Sequence, residues 1–288
     1  MGDSFTLMEG SFASGRGIKL YTRKYIPASS YSVVFLFLHG VGEHCTRFHD
    51  TFSTITKQGI AVYALDHQGH GKSEGARFDC RSFEEFTDDI FTYNDIIRRE
   101  NASNPQVKYV VAGFSLGGLL AVYVAALKPD LWDGIVLHAP ALGLDKSWLM
   151  QFQGLFAPIL EFLVPTWEVV RAINLEYASR NKAYIEDLLN DSMMNHNPLR
   201  VRLIRSIERG MKKLKKIQNN VKMPVQIFHG DADKLTSPIS SKQLFDAIPS
   251  THKTFASLPG QYHCILDEPE AAATLVATID WLKAISKS

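Results

Sequence analysis

The sequence predicts an α/β fold with a mostly parallel central sheet, helices on both faces and an inserted, mainly helical cap. Short apolar runs, of the kind that a sheet buried on both faces requires, alternate with longer helical patterns. One of these runs passes into a helix at a single residue, Ser115. Residues 141–223 then interrupt the alternation, although a crossover helix needs only about a dozen residues. With 288 residues and 45% hydrophobic content, the chain can bury one large core.

The elements follow in order from these patterns. An early antiparallel strand is predicted over 19–26, before the buried strands begin. The predicted buried strands are Val33–Leu38, 60–65, 109–112, Gly134–His138, 224–228 and Lys253–Leu258. The predicted helices are 82–99, Leu116–Leu127, 240–247 and 269–285.

The break in the alternation predicts the domain organisation. Residues 1–140 and 224–288 form the predicted core, and residues 141–223 form the predicted cap, or lid, with a return helix. Within the cap, apolar residues recur at helical spacing, at Leu149, Phe152, Phe156, Leu160 and Leu163. Pro158 predicts a break near Ala157. Phe152 and Phe156 are candidates for contact with an acyl chain, and packing inside the cap is the alternative.

The turn around Ser115 predicts a nucleophile elbow. In Gly113-Phe114-Ser115-Leu116-Gly117, a strand precedes the serine and a helix follows at once. The glycines leave out the Cβ atoms that would clash where the strand and the helix meet. A glycine-rich turn with an incidental serine is the alternative, but the surrounding elements favour the elbow. Ser115 is therefore the predicted nucleophile.

A serine nucleophile needs a base and an acid that orients the base. The acid is expected just after a late strand, where Asp231 and Asp233 both stand. Asp233 is favoured, because Asp231 lies in the tight part of the turn and is expected to cap it. His263 is the histidine placed between the last strand and the last helix, and it is the predicted base.

The developing oxyanion needs two preorganised donors. Leu116, the residue after the serine, is expected to supply one backbone N–H, and Val41, in the glycine-containing loop after Val33–Leu38, the other. Further histidines lie in loops predicted at the same edge of the sheet, and structural roles are favoured for them over contact with substrate or metal. These are His39, His44, His67, His70 and His229.

At this point the sequence resembles a known family. The segment from His39 to Arg47, the glycine loop after Asp66, the G-x-S-x-G turn, Gly230-x-x-Asp233 and His263 together resemble the monoacylglycerol lipase and lysophospholipase branch of the α/β-hydrolases. The resemblance implies an α/β-hydrolase fold, the triad Ser115, Asp233 and His263, and contact of Glu43 and Arg47 with the alcohol part of the substrate. Some of these lipases have a second histidine where this chain has Leu266.

The predicted function is a serine esterase, or lipase, that hydrolyses a lipid ester through an acyl-enzyme on Ser115. A monoacylglycerol or a lysophospholipid is the expected substrate. The alternatives on the same triad are an aminopeptidase, a carbon–carbon bond hydrolase, a thioesterase and a phenolic-ester esterase. A ligand-binding receptor built on the same fold is the alternative outside enzymes, and turnover of a simple ester distinguishes it.

The composition of the chain restricts the classes of partner and cofactor that it is expected to bind. A net charge of +1 gives no indication of nucleic-acid binding, and no cofactor or metal is expected. Three cysteines without a CxxC pair indicate neither a disulfide framework nor a zinc site, so a cytoplasmic location is predicted. The residues Arg200 to Lys216 are strongly basic, and a solvated helix face is favoured over a surface for anionic lipid. Peripheral membrane contact through this stretch and the cap is the alternative. The first residues also fit the pattern for myristoylation of Gly2, which the sequence does not decide.

Overall fold

The computed structural model describes residues 5–143, 161–171, 174–194 and 197–287. Its main sheet has eight strands in the order β1-β2-β4-β3-β5-β6-β9-β10. The strands are β1 (Phe5–Ala13), β2 (Lys19–Pro27), β3 (Val33–Leu38), β4 (Ala61–Leu65), β5 (Lys108–Phe114), β6 (Gly134–His138), β9 (Val225–Gly230) and β10 (Lys253–Leu258). β1, β2 and β4 pair antiparallel, and all the other neighbours pair parallel. The predicted mostly parallel sheet is confirmed.

Helices cover both faces of this sheet. In the described part of the chain they are α1 (His49–Thr56), α2 (Glu84–Glu100), α3 (Leu116–Leu127), α4 (Lys182–Asn190), α5 (Val201–Ile217), α6 (Pro238–Ala247) and α7 (Ala271–Ile285). One apolar cluster joins α2, α3 and α5 to the side chains on one face of the central strands, such as Leu36 and Val111. A second cluster joins α1 and α7 to the opposite face, through Phe35 and Val110.

The long connection between β6 and β9 contains its own small sheet. β7 (Glu168–Arg171) pairs antiparallel with β8 (Pro198–Arg200), and α4 and α5 complete the part of the connection that the structure describes. α5 is the return helix, and it packs against α3 through buried side chains such as Leu203 and Ile204. The cap as a separate domain stays a prediction.

The predicted acyl-wall residues Phe152 and Phe156 lie outside the described residues, as does the predicted break at Pro158. Of the apolar series in this part of the cap, Leu163 is described, and it is exposed rather than packed. No helix in the described ranges is long and apolar enough to cross a membrane.

One strand differs from its prediction in a way that affects the site. β9 continues two residues beyond the predicted end at 228, because the parallel pairing with β10 extends through Gly230. His229, predicted in a loop, therefore lies within the strand, opposite Ser257. Its side chain is fully buried.

Candidate active site

Ser115 occupies a strained turn between β5 and α3. Its backbone has φ 54° and ψ −118°, which is a conformation that residues other than glycine rarely adopt. A Cβ on Gly113 would clash with the backbone of Gly117, and one on Gly117 would clash with the carbonyl of Leu38. The turn can form only because both positions are glycines.

Hydrogen bonds to the neighbouring loop hold this turn. The N–H of Ser115 donates to the carbonyl of His138 at 3.1 Å, and the carbonyl of Ser115 accepts from the N–H of Ala141 at 2.9 Å. The strain at Ser115 is therefore supported by the end of β6 and the residues after it.

His263 and Asp233 form a buried pair beside Ser115. Nδ1 of His263 lies 2.7 Å from Oδ2 of Asp233. Both side chains are almost fully buried, and the ring of His263 lies 4.8 Å from that of Phe114, the residue before Ser115. The residues that the sequence proposed as nucleophile, acid and base are thus brought to one place.

Burial alone would raise the pKa of Asp233. The charge of His263 and hydrogen bonds from His229 and His263 outweigh burial and hold the pKa of Asp233 well below its usual range. An ionised carboxylate only accepts hydrogen bonds, so Nδ1 of His263 must carry a proton. In the neutral ring, Nε2 of His263 is then left as the basic nitrogen.

Asp231, the other candidate acid, binds a backbone N–H instead of His263. Its Oδ1 accepts the backbone N–H of Gly260 at 2.6 Å. This bond connects Asp231 to the turn after β10, whereas the sequence placed its capping role in its own turn after β9.

The two expected oxyanion donors come from different elements on either side of Ser115. Leu116 begins α3, where the first N–H groups have no acceptor within the helix. Val41 follows Gly40, and a Cβ at Gly40 would lie 3.2 Å from the Cβ of Ser115. Val41 and Leu116 both line the cavity described next, so the geometry supports the proposed hole.

A largely apolar cavity opens onto Ser115 and His263. The core contributes to its lining Gly40, Val41, Glu43, Phe114, Ser115, Leu116, Leu235, Thr236 and His263. The connection between β6 and β9 contributes Ala141, Leu199, Ile204, Ile207, Glu208 and Met211. The apolar face of α5 is thus one wall of this cavity, a role that the sequence did not assign to it.

Glu43 is the buried acid in the cavity wall. Its Oε2 accepts the N–H of Gly40 at 3.0 Å, and the residue is 2% exposed. Burial raises the pKa of Glu43 to about 7, against the opposing effects of the Gly40 N–H and the charge of Arg47. Glu43 therefore stabilises the loop that carries Val41, and its contact with the alcohol, which the resemblance implies, stays a prediction.

Arg47, the other residue implied by the resemblance, binds the connection instead of lining the cavity. Its two Nη atoms each lie 2.9 Å from a carboxylate, one of Asp191 and one of Asp187, and its guanidinium lies 5.1 Å from the ring centroid of Tyr184. His44 Nε2 also lies 2.9 Å from Asp191. Arg47 thus ties the loop after β3 to α4, and its contact with substrate stays a prediction.

The rings of His39, His67 and His70 are packed together. Nε2 of His39 accepts the N–H of His67 at 3.0 Å, so Nδ1 donates to the carbonyl of Gly40. Burial lowers the pKa of His67 to about 3 and that of His70 to about 4, which keeps both rings neutral. Within the described ranges, no three His, Cys, Asp or Glu side chains are placed to bind a metal ion.

The basic residues from Arg200 to Lys216, at the end of β8 and in α5, are largely engaged in ion pairs. Asp79 binds Arg200 and Arg202, Glu161 binds Arg205 and Arg209, and Glu84 binds Lys213. These ion pairs connect this segment to the core and to Glu161. Most of its basic side chains therefore have an acidic partner. Lys212, Lys215 and Lys216 are exposed.

Comparison with known proteins shows the family of this chain and several similar proteins. The family described as serine aminopeptidase, S33, matches residues 30–270. A monoacylglycerol lipase of Mycolicibacterium smegmatis is 28% identical, over 97% of this chain and 98% of its own length. A monoglyceride lipase of Rattus norvegicus is 26% identical, over 92% of this chain and 86% of its own. The crystal structure of a Paleococcus ferrophilus monoacylglycerol lipase is similar, with a TM-score of 0.78 at 26% identity, over 97% of this chain and 99% of that one.

Proposed function

The chain belongs to the serine aminopeptidase, S33 family of α/β-hydrolases, and from that premise we propose that it is a serine esterase that hydrolyses a lipid ester. One observation carries the proposal. Ser115, on a strained elbow, and His263, bound to Asp233, line the same cavity, and the apolar side of α5 forms another part of its wall. This arrangement combines a nucleophile and its base with a surface suited to an acyl chain.

The proposed mechanism follows from the positions of these groups. Nε2 of His263 takes the proton from Oγ of Ser115 while Oγ attacks the ester carbonyl. The N–H groups of Val41 and Leu116 stabilise the oxyanion, a contribution typically worth a few kcal/mol for each donor. His263 then gives its proton to the leaving alcohol, which leaves the acyl group on Ser115. A water activated by the same histidine releases the acid.

A monoacylglycerol is the proposed substrate, and a lysophospholipid is the other lipid ester to be tested. The relatives named above are described as lipases of monoacylglycerols. The cavity supports this choice, because Ile204, Ile207 and Met211 present an apolar wall to the acyl chain. Glu43 lies at the oxyanion end of the cavity, where its carboxyl group can bind a hydroxyl of the alcohol.

Peripheral contact with a membrane surface is proposed at the outer side of α5. Glu161 binds Arg205 and Arg209, so the exposed side chains of Phe162 and Leu163 lie beside that helix. Their apolar surface could enter an interface while the exposed lysines of α5 contact anionic head groups. A cytoplasmic location remains the prediction from the cysteine content.

A substrate panel tests the proposal. Monoacylglycerols, lysophosphatidylcholines, a feruloyl ester, an acyl thioester and an aminoacyl amide would be offered to the wild type and to Ser115→Ala. We expect release of fatty acid from a lipid ester by the wild type and none by the variant. Hydrolysis of the aminoacyl amide without any hydrolysis of lipid ester would show a peptidase, and binding without turnover would show a receptor.

A further inference from the structure

A second histidine touches the acid of the candidate triad. His229 lies in β9, and its side chain is fully buried. Its Nε2 lies 3.1 Å from Oδ2 of Asp233, and its Nδ1 lies 2.8 Å from Oγ of Ser241 in α6. His229 is not part of the cavity lining, so its route to the reacting groups runs through Asp233.

The proton on His229 can be placed from its partners. Because Asp233 is ionised, its oxygens can only accept hydrogen bonds, and Nε2 of His229 must therefore be the donor. The hydroxyl of Ser241 can donate or accept, so it is compatible with the ring in this orientation. The ring is thus held at both nitrogens, by Asp233 in the loop after β9 and by Ser241 in α6.

His229 and His263 share one carboxylate oxygen. Oδ2 of Asp233 also accepts the hydroxyl of Thr236 at 2.9 Å, while Oδ1 accepts the backbone N–H groups of Leu235 and Thr236, at 2.7 and 3.0 Å. A carboxylate has about four lone-pair positions, so these donors compete for it. The bond from His229 therefore reduces the negative charge that Asp233 offers to His263.

We propose that His229 is a positioning residue of the hydrolase: by donating to Oδ2 of Asp233, it fixes the carboxylate and limits how strongly that carboxylate holds protonated His263. This inference rests on the proposed function, since it assigns His263 as the base. A histidine that only filled space in the core would have no effect on the protonation of His263. The two roles therefore differ in the pH dependence that they predict.

The direction of the pH effect follows from the shared oxygen. Without the donor at 229, Asp233 would stabilise protonated His263 more strongly, and a higher pH would be needed to free the base. Among the described residues, Glu43 interacts with the charge of His263, and Cys264 interacts with that of Asp233. Both are unchanged in the variants below, so their contribution is common to all of them.

Two amide variants separate the roles. The amide nitrogen of His229→Gln is as many bonds from Cβ as Nε2 of histidine, so it can still donate to Asp233. The amide nitrogen of His229→Asn is one bond closer to Cβ. It corresponds in position to Nδ1 of histidine, which lies on the side of Ser241. Both variants bury a polar amide at the same site, which makes each the control for the other. The measurements are kcat/KM for a short ester, and the rate at which a fluorophosphonate labels Ser115, each from pH 5 to pH 9.

We expect the half-maximal pH to move upward by about half a unit in His229→Asn and to stay at the wild-type value in His229→Gln, with KM within about twofold in both. Wild-type pH profiles in both variants, or equal shifts in both, would overturn the positioning role. If the wild type hydrolyses no ester, the proposed function fails by that result alone. The labelling profile needs only a reactive Ser115 and decides the role of His229 separately.

Discussion

Oδ2 of Asp233 lies 2.7 Å from Nδ1 of His263, whereas the carboxylate of Asp231, two residues earlier, accepts the N–H of Gly260. Both aspartates follow β9, and the sequence offered both as the acid. The tight turn directs Asp231 toward the end of β10 and leaves Asp233 to face the histidine. The choice between the two acids can therefore be tested by mutation.

The first prediction concerns the triad. Ser115→Ala and His263→Ala should each reduce kcat by about 10⁴-fold or more, and Asp233→Asn should have nearly the same effect, because the three groups act as a unit. Asp231→Asn is the matched control, and it should reduce kcat less than about tenfold because it disturbs only a turn. Steady-state hydrolysis of a short ester measures all four. Loss of activity in Asp231→Asn with survival in Asp233→Asn would reverse the assignment.

The second prediction concerns Glu43, whose pKa burial raises to about 7. In the unfolded chain the carboxyl ionises near pH 4.5, so the folded state binds more protons between these values and its stability falls as pH rises. Glu43→Gln keeps an acceptor for Gly40 but cannot ionise. Relative to the wild type, it should gain about 2 to 3 kcal/mol of stability by pH 8, or roughly 5 °C in Tm.

Thermal unfolding between pH 5 and pH 8 measures this difference. Glu176→Gln, at an exposed position, is the control and should show no such trend. Burial also raises the pKa of Asp267 to about 7, but Asp267 is present in every protein compared. A stability difference that does not depend on pH would contradict the assignment of a buried, ionising Glu43.

The third prediction concerns the wall formed by α5. Ile207→Asn places an amide where the proposed acyl chain packs. Loss of contact for two or three methylenes, at about 0.8 kcal/mol each, should lower kcat/KM for a dodecanoyl ester roughly 30-fold and leave an acetyl ester nearly unaffected. Ile217→Asn makes the same change on the same helix outside the cavity lining. If both variants affect the two esters equally, α5 is not the acyl wall.

The fourth prediction concerns the link between the core and α4. Arg47 is 7% exposed at its side chain and binds Asp191 at 2.9 Å, so the pair is shielded more than a surface ion pair. A double-mutant cycle with Arg47→Gln and Asp191→Asn should give a coupling of about 1 to 2 kcal/mol in the free energy of unfolding. Additive effects, within about 0.3 kcal/mol, would show that the pair of Arg47 and Asp191 contributes no coupling to stability.

Much of the fold could be predicted where the local signal is strong. The bounds of β3 and α3 match their predictions, because a glycine-containing turn follows the apolar run of β3 and another precedes the apolar run of α3, which ends before Lys128 and Pro129. β1 was not predicted, since both of its faces are largely exposed and its sequence therefore lacks an apolar alternation. β7 and β8 were missed because such short strands are stabilised by pairing between distant residues.

Within the site as well, local sequence signals predicted some features, whereas contacts between distant residues could not be predicted. The order of Ser115, Asp233 and His263 along the chain was enough to propose the triad, because each follows a predictable strand. The contacts of Arg47 with Asp187 and Asp191 could not be foreseen, since the partners are far apart in sequence and their meeting depends on how the connection folds back. His229 lies beside Asp233 in a strand that continues for two residues beyond its predicted end at 228. The apolar pattern weakens there, so it did not predict these two residues as part of β9.

Direct detection of the acyl-enzyme tests the central claim. Wild-type protein would be mixed with a medium-chain monoacylglycerol, quenched in acid within the first turnovers, digested and analysed by mass spectrometry, with Ser115→Ala treated in parallel. We expect the mass of one acyl group on the peptide that contains Ser115, absent from the variant. Hydrolysis of the monoacylglycerol that continues in Ser115→Ala, with no acyl group on this peptide in the wild type, would contradict the account.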